Sequence, residues 1–266
     1  MCRLLGLVCN LAVDFGFTLP HFAKLSDSNP DAWGIAWYAN EAAIVKTGKG
    51  KLATSPELRE LIVRVRSQIL ISHVRYATSE PLDERGAHPF KDHALGRDWI
   101  FAHNGSIDRA WLAPHLKKAP SLGPDSRFYF RYLIEEIEEN AGKPAEETLA
   151  KCLPELKNHT TSALNFVMSN GAKLYAFCGF KDSPANERRY TLQLTRRPRI
   201  EPRELPKSSS GYRQMLYAKL AKGERAILVC SEDVTKLEGE VWEPLQNGKL
   251  VAIKRDNLRV QEFTVW

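Results

Sequence analysis

The opening stretch Met1-Cys2-Arg3-Leu4-Leu5-Gly6-Leu7-Val8-Cys9 constrains the fold more than any other part of the chain. It is mostly apolar, short, and interrupted only by Gly6, which reads as a strand buried on both faces. The same stretch sets a thiol one methionine away from the terminus. Methionine aminopeptidases remove Met1 when the next side chain is small, and cysteine qualifies, so Cys2 could carry both a sulfur and a free α-amine. An α-amine titrates near ~7.7–8.0 and a thiol near ~8.5, close enough to neutrality for burial or a nearby charge to tune either. A cysteine whose base is built in needs no histidine. The plainer reading is a small hydrophobe that starts a buried strand.

A chain of 266 residues can bury a real core as one large domain or two small ones. No break in composition argues for two, so a single domain over 1–266 is expected. A hydrophobic content of 43% with 26% charged residues is that of an ordinary soluble globular protein. The net charge of +6 raises the question of nucleic acid, but the basic residues are dispersed among 32 acidic ones. The densest cluster, Arg196, Arg197, Arg199 and Arg203, is broken by Pro198, Pro202 and Pro206 and reads as a solvated loop. No aromatic-interleaved basic motif accompanies it, so no nucleic-acid partner is expected.

The five cysteines are an odd number spread too widely for a zinc or redox spacing, which favours a reducing compartment. Leu4 to Val13 mimics a secretory core, yet no small-residue cleavage site follows before Asp14. No apolar run elsewhere is long enough to span a bilayer. A cytoplasmic enzyme or binding protein, with no membrane partner, is the expectation.

Further along, Ile35–Tyr38 and Ala43–Lys46 read as two strands joined by a polar turn at Asn40-Glu41. Asp14 to Pro30 is loop-like with a helical turn around His21–Leu25. Ser55-Pro56 caps a helix whose apolar face is Leu58, Leu61, Ile62 and Val65. Ile69–Tyr76 and Trp99–Ala102 return to strand. Helices follow over Asp108–Leu116, over Ser126–Glu139 with its glutamate run as a wet end, and over Ala145–Leu156, interrupted by Pro154. Ala163–Met168, Leu174–Phe177, Tyr190–Thr195, Ala226–Cys230, Leu250–Ile253 and Val260–Val265 then form a series of short strands. Strands at both ends and helices in the middle suggest α+β, with sheets layered between helices.

Three stretches hold polar residues where strands end. Ser72 to Thr78 ends an apolar strand with an arginine and two hydroxyls, and Gly86-Ala87-His88-Pro89-Phe90 lies in a loop about ten residues on. His103-Asn104-Gly105 closes the Trp99 strand; an asparagine amide beside a glycine N–H can point two donors at one oxyanion, and the glycine lets an acyl group approach the backbone. Asp125-Ser126 opens the long helix. Each has a structural reading as well: Arg75 as an ion pair, Asn104-Gly105 as a turn, Asp125 as a helix cap. His73, His88, His93 and His103 match no familiar ligand spacing, so no metal is expected.

Taken together, Cys2-Arg3, the HVRYAT run at 73–78, the AHPF loop at 87–90, HNG at 103–105 and PDS at 124–126 resemble the class II glutamine amidotransferases in order and rough spacing. Asp31-Ala32-Trp33-Gly34 and Leu164-Asn165-Phe166 extend the resemblance over most of the chain. It looks most like the stand-alone bacterial branch, related to amidohydrolases that cut γ-glutamyl thiol compounds.

The resemblance implies an N-terminal-nucleophile (Ntn) hydrolase fold, a four-layer αββα sandwich, and no cofactor. It implies that Cys2 attacks the γ-carboxamide of glutamine or of a γ-glutamyl compound while Asn104 and Gly105 hold the oxyanion. Arg75 would grip the substrate α-carboxylate with Thr78 in support, and Asp125 would receive the α-ammonium. Departures stand at Arg127, where the family often has glutamate, and at Ala32, where it has glycine. Tyr76 and Ser79 fall at positions that vary between branches. No synthase domain follows within the sequence, so a hydrolase acting alone, a glutaminase subunit feeding ammonia to a separate synthase partner, and a non-catalytic γ-glutamyl-binding protein all stay open, as does a homodimer.

Overall fold

A computed structural model describes residues 2–76, 86–197, 223–237 and 239–266. The first strand, β1 (Arg3–Asp14), lies inside a seven-stranded sheet with β2 (Ala32–Ala39), β3 (Ala42–Lys49), β4 (Arg66–Arg75), β9 (Gln193–Arg196), β10 (Ala226–Cys230) and β11 (Trp242–Pro244). Their order is β11-β9-β10-β1-β4-β2-β3. A second sheet of six strands holds β5 (Phe90–Ala94), β6 (Arg97–Ile107), β7 (Thr160–Ser169), β8 (Lys173–Cys178), β12 (Lys249–Lys254) and β13 (Val260–Thr264), in the order β13-β12-β8-β7-β6-β5. Every pairing in both sheets is antiparallel.

Because successive side chains of a strand face opposite ways, β1 feeds two cores at once. Leu4 and Val8 pack with Val167, Ala176 and Val251 of the second sheet, between the sheets. Leu5, Leu7 and Cys9 turn the other way, onto Phe22 of α1 (Thr18–Ala23) and Leu58 and Leu61 of α2 (Pro56–Arg64). In the second sheet, Ile100 and Ala102 of β6 face inward. Phe101 faces outward, onto Tyr129, Phe130 and Leu133 of α4 (Asp125–Glu139) and Leu149 and Leu153 of α5 (Ala145–Leu156). Three buried clusters between four layers make the αββα sandwich. Gly6 is where the two sheets approach most closely on this strand: a Cβ there would lie 2.5 Å from a Val167 methyl.

Several local expectations change. Helix α5 runs through Pro154 without a break, because a proline in the last turn forfeits only one ladder bond near the end. Tyr190, expected at the start of a strand, instead ends a helix, α6 (Pro184–Tyr190), capped by Ser183 and with Pro184 at its first turn. The strand β6 does not close at His103-Asn104-Gly105 but continues to Ile107. Glu135, read as part of a wet helix end, is buried; it accepts from the Lys117 and Lys118 N–H groups at 2.8 Å each and from Arg131 at 3.0 Å. Arg197, read as part of a solvated loop, is buried over the Phe17 ring and donates to Thr18 Oγ1. Arg199 and Arg203 lie outside the described residues.

The register fixes where chemistry can occur. Arg3 pairs with Val74 and Leu4 with His73 across β1 and β4, so continuing by one residue puts Cys2 beside Arg75. Ala32 pairs with Arg75 from the other side. Cys2, Arg75 and Ala32 thus end three neighbouring strands on the face that looks into the sandwich. Across the gap Asn104 shares the inward face of β6 with Ile100 and Ala102.

Candidate active site

A cavity of about 450 Å³ opens at this end of the sandwich, and Cys2, Tyr76, Asn104 and Gly105 form part of its wall. Cys2 is half-buried, and its Sγ lies 3.7 Å from the Tyr76 carbonyl oxygen. Asn104, almost wholly buried, donates from Nδ2 to the Cys2 carbonyl at 2.9 Å. A primary amide has two N–H groups, so one ties β6 to the start of β1 and the second remains for a ligand. Arg3 also donates to the Cys2 carbonyl, at 3.3 Å, while its Nε is bound to the Glu232 carboxylate. The residue that carries the thiol is thus clamped from two sides.

Burial pushes the Cys2 thiol above its ordinary value; the Tyr76 backbone, the positive chain terminus and the Arg75 guanidinium pull against it. The thiol therefore rests protonated at neutral pH. Cys9, the other thiol of the first strand, is fully buried in the outer core and pushed up to about 12 by that burial. The two are chemically different groups seven residues apart.

Gly105 is the residue that the backbone most requires to be glycine. Its φ is +148°, and a Cβ would overlap the carbonyl oxygen of Ala163. The signal for this in the sequence was the HNG run, although a turn was the rival reading and the segment is a strand. Gly34 plays a comparable part on β2, where a Cβ would overlap the His88 carbonyl oxygen. Ala32, by contrast, sits in regular strand paired with Lys49 and Arg75, and needs no glycine.

Arg75 is buried at the end of β4, and Gly86 lies flat against its guanidinium: a Cβ at Gly86 would come within 2.5 Å of one nitrogen. Asp125 begins α4 and is occupied by the backbone. One carboxylate oxygen accepts from the Ile107 N–H at 2.8 Å, and the other accepts from the Ser126 N–H at 2.7 Å and its hydroxyl at 3.2 Å. Asp125 is therefore tied to the strand that carries Asn104 and Gly105. Neither Arg75 nor Asp125 is part of the cavity wall. Thr78 and Ser79 lie outside the described residues. Among the described residues Arg127 makes no salt bridge; its guanidinium lies 4.3 Å over the Phe90 ring, with Asp92 as the acid acting on it.

Behind Arg75 three buried histidines meet. The rings of His73 and His88 are 4.6 Å apart, and those of His88 and His103 are 6.5 Å apart. His103 Nδ1 is 2.8 Å from the Ser126 hydroxyl, whereas no ring nitrogen of His73 or His88 has a hydrogen-bond partner among the described residues. Burial, with Arg75 and His103 adding to it, holds His73 at about 3, and burial holds His88 well below its ordinary value. Among the described residues no cluster of three or more histidine, cysteine or acidic side chains is arranged to hold a metal ion.

The cavity's wall also holds residues not anticipated: Ser28, Asn29, Arg189 and Tyr190. They sit on an early loop and at the end of α6, the helix that had no clear periodic signal.

Two antiparallel sheets between helices, with a cysteine beginning the central strand and an asparagine-glycine pair facing it, define an N-terminal-nucleophile sandwich. A family model described as glutamine amidotransferases class-II matches residues 1–264, and the chain belongs to that family. A Haemophilus influenzae protein provisionally named a glutamine amidotransferase is 31% identical over 67% of this chain and 63% of its own length. An uncharacterised protein of Methanocaldococcus jannaschii is 26% identical over 97% of this chain and 70% of its own. Among solved structures, a glutamine amidotransferase assigned by prediction from Pseudomonas aeruginosa aligns at TM-score 0.60 and 20% identity, over 97% of this chain and 99% of that one. The glutamine phosphoribosylpyrophosphate amidotransferase of B. subtilis, solved with ADP and GMP, aligns at TM-score 0.67 and 15% identity. This chain is covered in full there but spans only 49% of the B. subtilis enzyme, and at these identities the two solved structures speak for the fold.

Proposed function

We propose that the chain is a γ-glutamyl amide hydrolase in which Cys2 is the nucleophile. The observation that carries this reading is the meeting of the Cys2 thiol, the Asn104 amide and the Gly105 backbone in one cavity wall. Removal of Met1 would leave the Cys2 α-amine next to a thiol that is protonated at rest. That amine takes the thiol proton as Sγ attacks the γ-carbonyl carbon. The second N–H of Asn104 and the Gly105 N–H hold the developing oxyanion, where one such donor is worth ~2.7–4 kcal/mol. Collapse of the tetrahedral intermediate breaks the C–N bond, and the proton passes from the α-amine to the departing ammonia or amine. Water then attacks the thioester, releasing glutamate and restoring the thiol.

Arg75 and Asp125 fit the two charges of the glutamyl end, a guanidinium for the α-carboxylate and a carboxylate for the α-ammonium. Both are anchored before substrate arrives, Arg75 against Gly86 and Asp125 on three backbone and hydroxyl donors. The test is a screen of glutamine and γ-glutamyl amides for glutamate release by protein whose intact mass shows Met1 removed. Release that disappears in Cys2→Ala supports the reading. Release that survives in Cys2→Ala, or activity in protein that retains Met1, overturns it.

A further inference from the structure

The described wall of the cavity carries cationic side chains that the hydrolysis of an amide does not by itself require. No acidic residue is among its described lining residues, and two arginines are. Arg3 is already matched by Glu232. Arg189, exposed at the end of α6, makes no hydrogen bond or ion pair among the described residues, so its charge is available to whatever enters. Asn29, another residue of the wall, is buried and spends both N–H groups, on the Leu25 carbonyl at 2.9 Å and the Ser28 hydroxyl at 3.0 Å. Its Oδ1 has no partner among the described residues.

The backbone next to Arg189 is held by strands of the second sheet. Asn165 pairs in register with Asn104, and its Nδ2 donates to the Tyr190 carbonyl. Its Oδ1 accepts from the Gly179 N–H at 2.8 Å, and the Leu192 N–H donates to Cys178 Sγ at 3.4 Å. The end of α6 is thus pinned to the sheet that carries Asn104 and Gly105, which fixes the backbone from which the Arg189 side chain projects. Arg189 shares this wall with Cys2, Asn104 and Gly105, whereas the residues that fit the glutamyl end, Arg75 and Asp125, do not.

We propose that Arg189 is a specificity residue that takes a carboxylate on the leaving amine. The substrate is then a γ-glutamyl amino acid or a γ-glutamyl peptide rather than a neutral amide such as glutamine. The α-amine of an amino acid is the common biological amine with an anion two bonds from its nitrogen, which is why a carboxylate is the chosen anion. The assignment rests on the reading of Cys2 as the nucleophile, and its test separates the two.

Wild type, Arg189→Gln and Arg189→Lys are assayed for kcat/KM with γ-glutamylglycine and with γ-glutamylethylamide, which differ by the carboxylate. Wild type favours γ-glutamylglycine at least tenfold; the ratio collapses toward one in Arg189→Gln and is partly kept in Arg189→Lys. A ratio that stays within twofold of wild type in Arg189→Gln overturns the proposal. The same two compounds are titrated into Cys2→Ala protein by calorimetry, with and without Arg189→Gln. Preference for γ-glutamylglycine that depends on Arg189, without glutamate release by wild type, supports the role of Arg189 and sinks that of Cys2. Equal binding of both compounds sinks the role of Arg189.

Discussion

The three histidines behind Arg75 make stability depend on acid in a way that can be worked from the structure. In an unfolded chain each would titrate near ~6.5. In the folded protein burial, followed by the charges of Arg75 and His103, keeps His73 neutral down to about 3. His88 is held lower than its ordinary value by burial and by His73, His103, Arg75 and Arg127, all cationic or potentially so. His103 is lowered by burial, against the opposing pull of Asp125 and the Ala163 carbonyl. Below pH ~6.5 the unfolded state therefore binds protons that the native state refuses, so stability is full above that pH and is lost as pH falls toward the folded values.

For one histidine that stays neutral, the loss between pH 8 and pH 5 is about 2 kcal/mol, so His73 and His88 together account for about 4 kcal/mol. That is a large part of the ~5–15 kcal/mol by which a native protein is stable. Asp98, drawn to about 2 by Lys91 and His93 against its burial, titrates below this window. Glu136 is pushed up by burial and Glu139 and works weakly in the opposite sense. Urea unfolding followed by tryptophan fluorescence at half-unit steps from pH 8 to pH 5 should give a slope near pH 5.5 equivalent to about two to three protons. His73→Leu should flatten it by about one proton, since a leucine has no ring nitrogen to protonate. A slope under one proton in wild type, or an unchanged slope in His73→Leu, would refute the argument.

Cys2→Ala should abolish glutamate release while Cys9→Ala retains it, because Cys9 is sealed in the outer core and its thiol is held far from ionisation; equal losses in an amide-hydrolysis assay would show the wrong thiol. Arg75→Ala should act mainly on KM and Asn104→Ala mainly on kcat, read from full saturation curves, and the reverse pattern would exchange their roles. Gly105→Ala should lower Tm and remove activity together, since a side chain at φ +148° costs ~1–3 kcal/mol even before it meets the Ala163 carbonyl; unchanged melting would mean the strand accommodates it.

What could be read from the sequence was whatever depends on neighbours along the chain. The two-faced burial of Leu4 to Cys9, the hairpin across Asn40-Glu41, and the Ser55-Pro56 helix start all follow from local periodicity and capping, and all are found. The misplaced features depend on partners far away. Glu135 looks solvated until Lys117, Lys118 and Arg131 surround it, and Arg197 looks like a loop cation until Phe17 and Thr18 are brought beneath it. Helix α6 has few apolar residues to betray it, since only Tyr190 of its seven is buried. It was hidden for that reason, and Arg189 of the cavity wall was hidden with it.

The family's motif positions explain the inner half of the site and leave the outer half to this chain. Cys2, Arg75 and Asn104 are fixed by strand register alone: a one-residue slip of β1 on β4 would turn the thiol out of the sandwich and away from β6. Such positions tolerate little change. Asn29 sits instead on a loop and Arg189 at a helix end, which is tied to the second sheet by Asn165 Nδ2 on the Tyr190 carbonyl and by the Leu192 N–H on Cys178 Sγ. On the proposed reading, the glutamyl end and the leaving group are then met by parts of the fold held in different ways, one by strand register and the other by side-chain bonds. Breaking the tether without touching either arginine should therefore loosen discrimination between leaving groups before it damages the chemistry at Cys2. Asn165→Ala, with the wild-type ratio of the glycine and ethylamide substrates as reference, should lower that ratio more than it lowers turnover of the ethylamide. An equal fall in both would mean that the helix end and the oxyanion strand move as one piece.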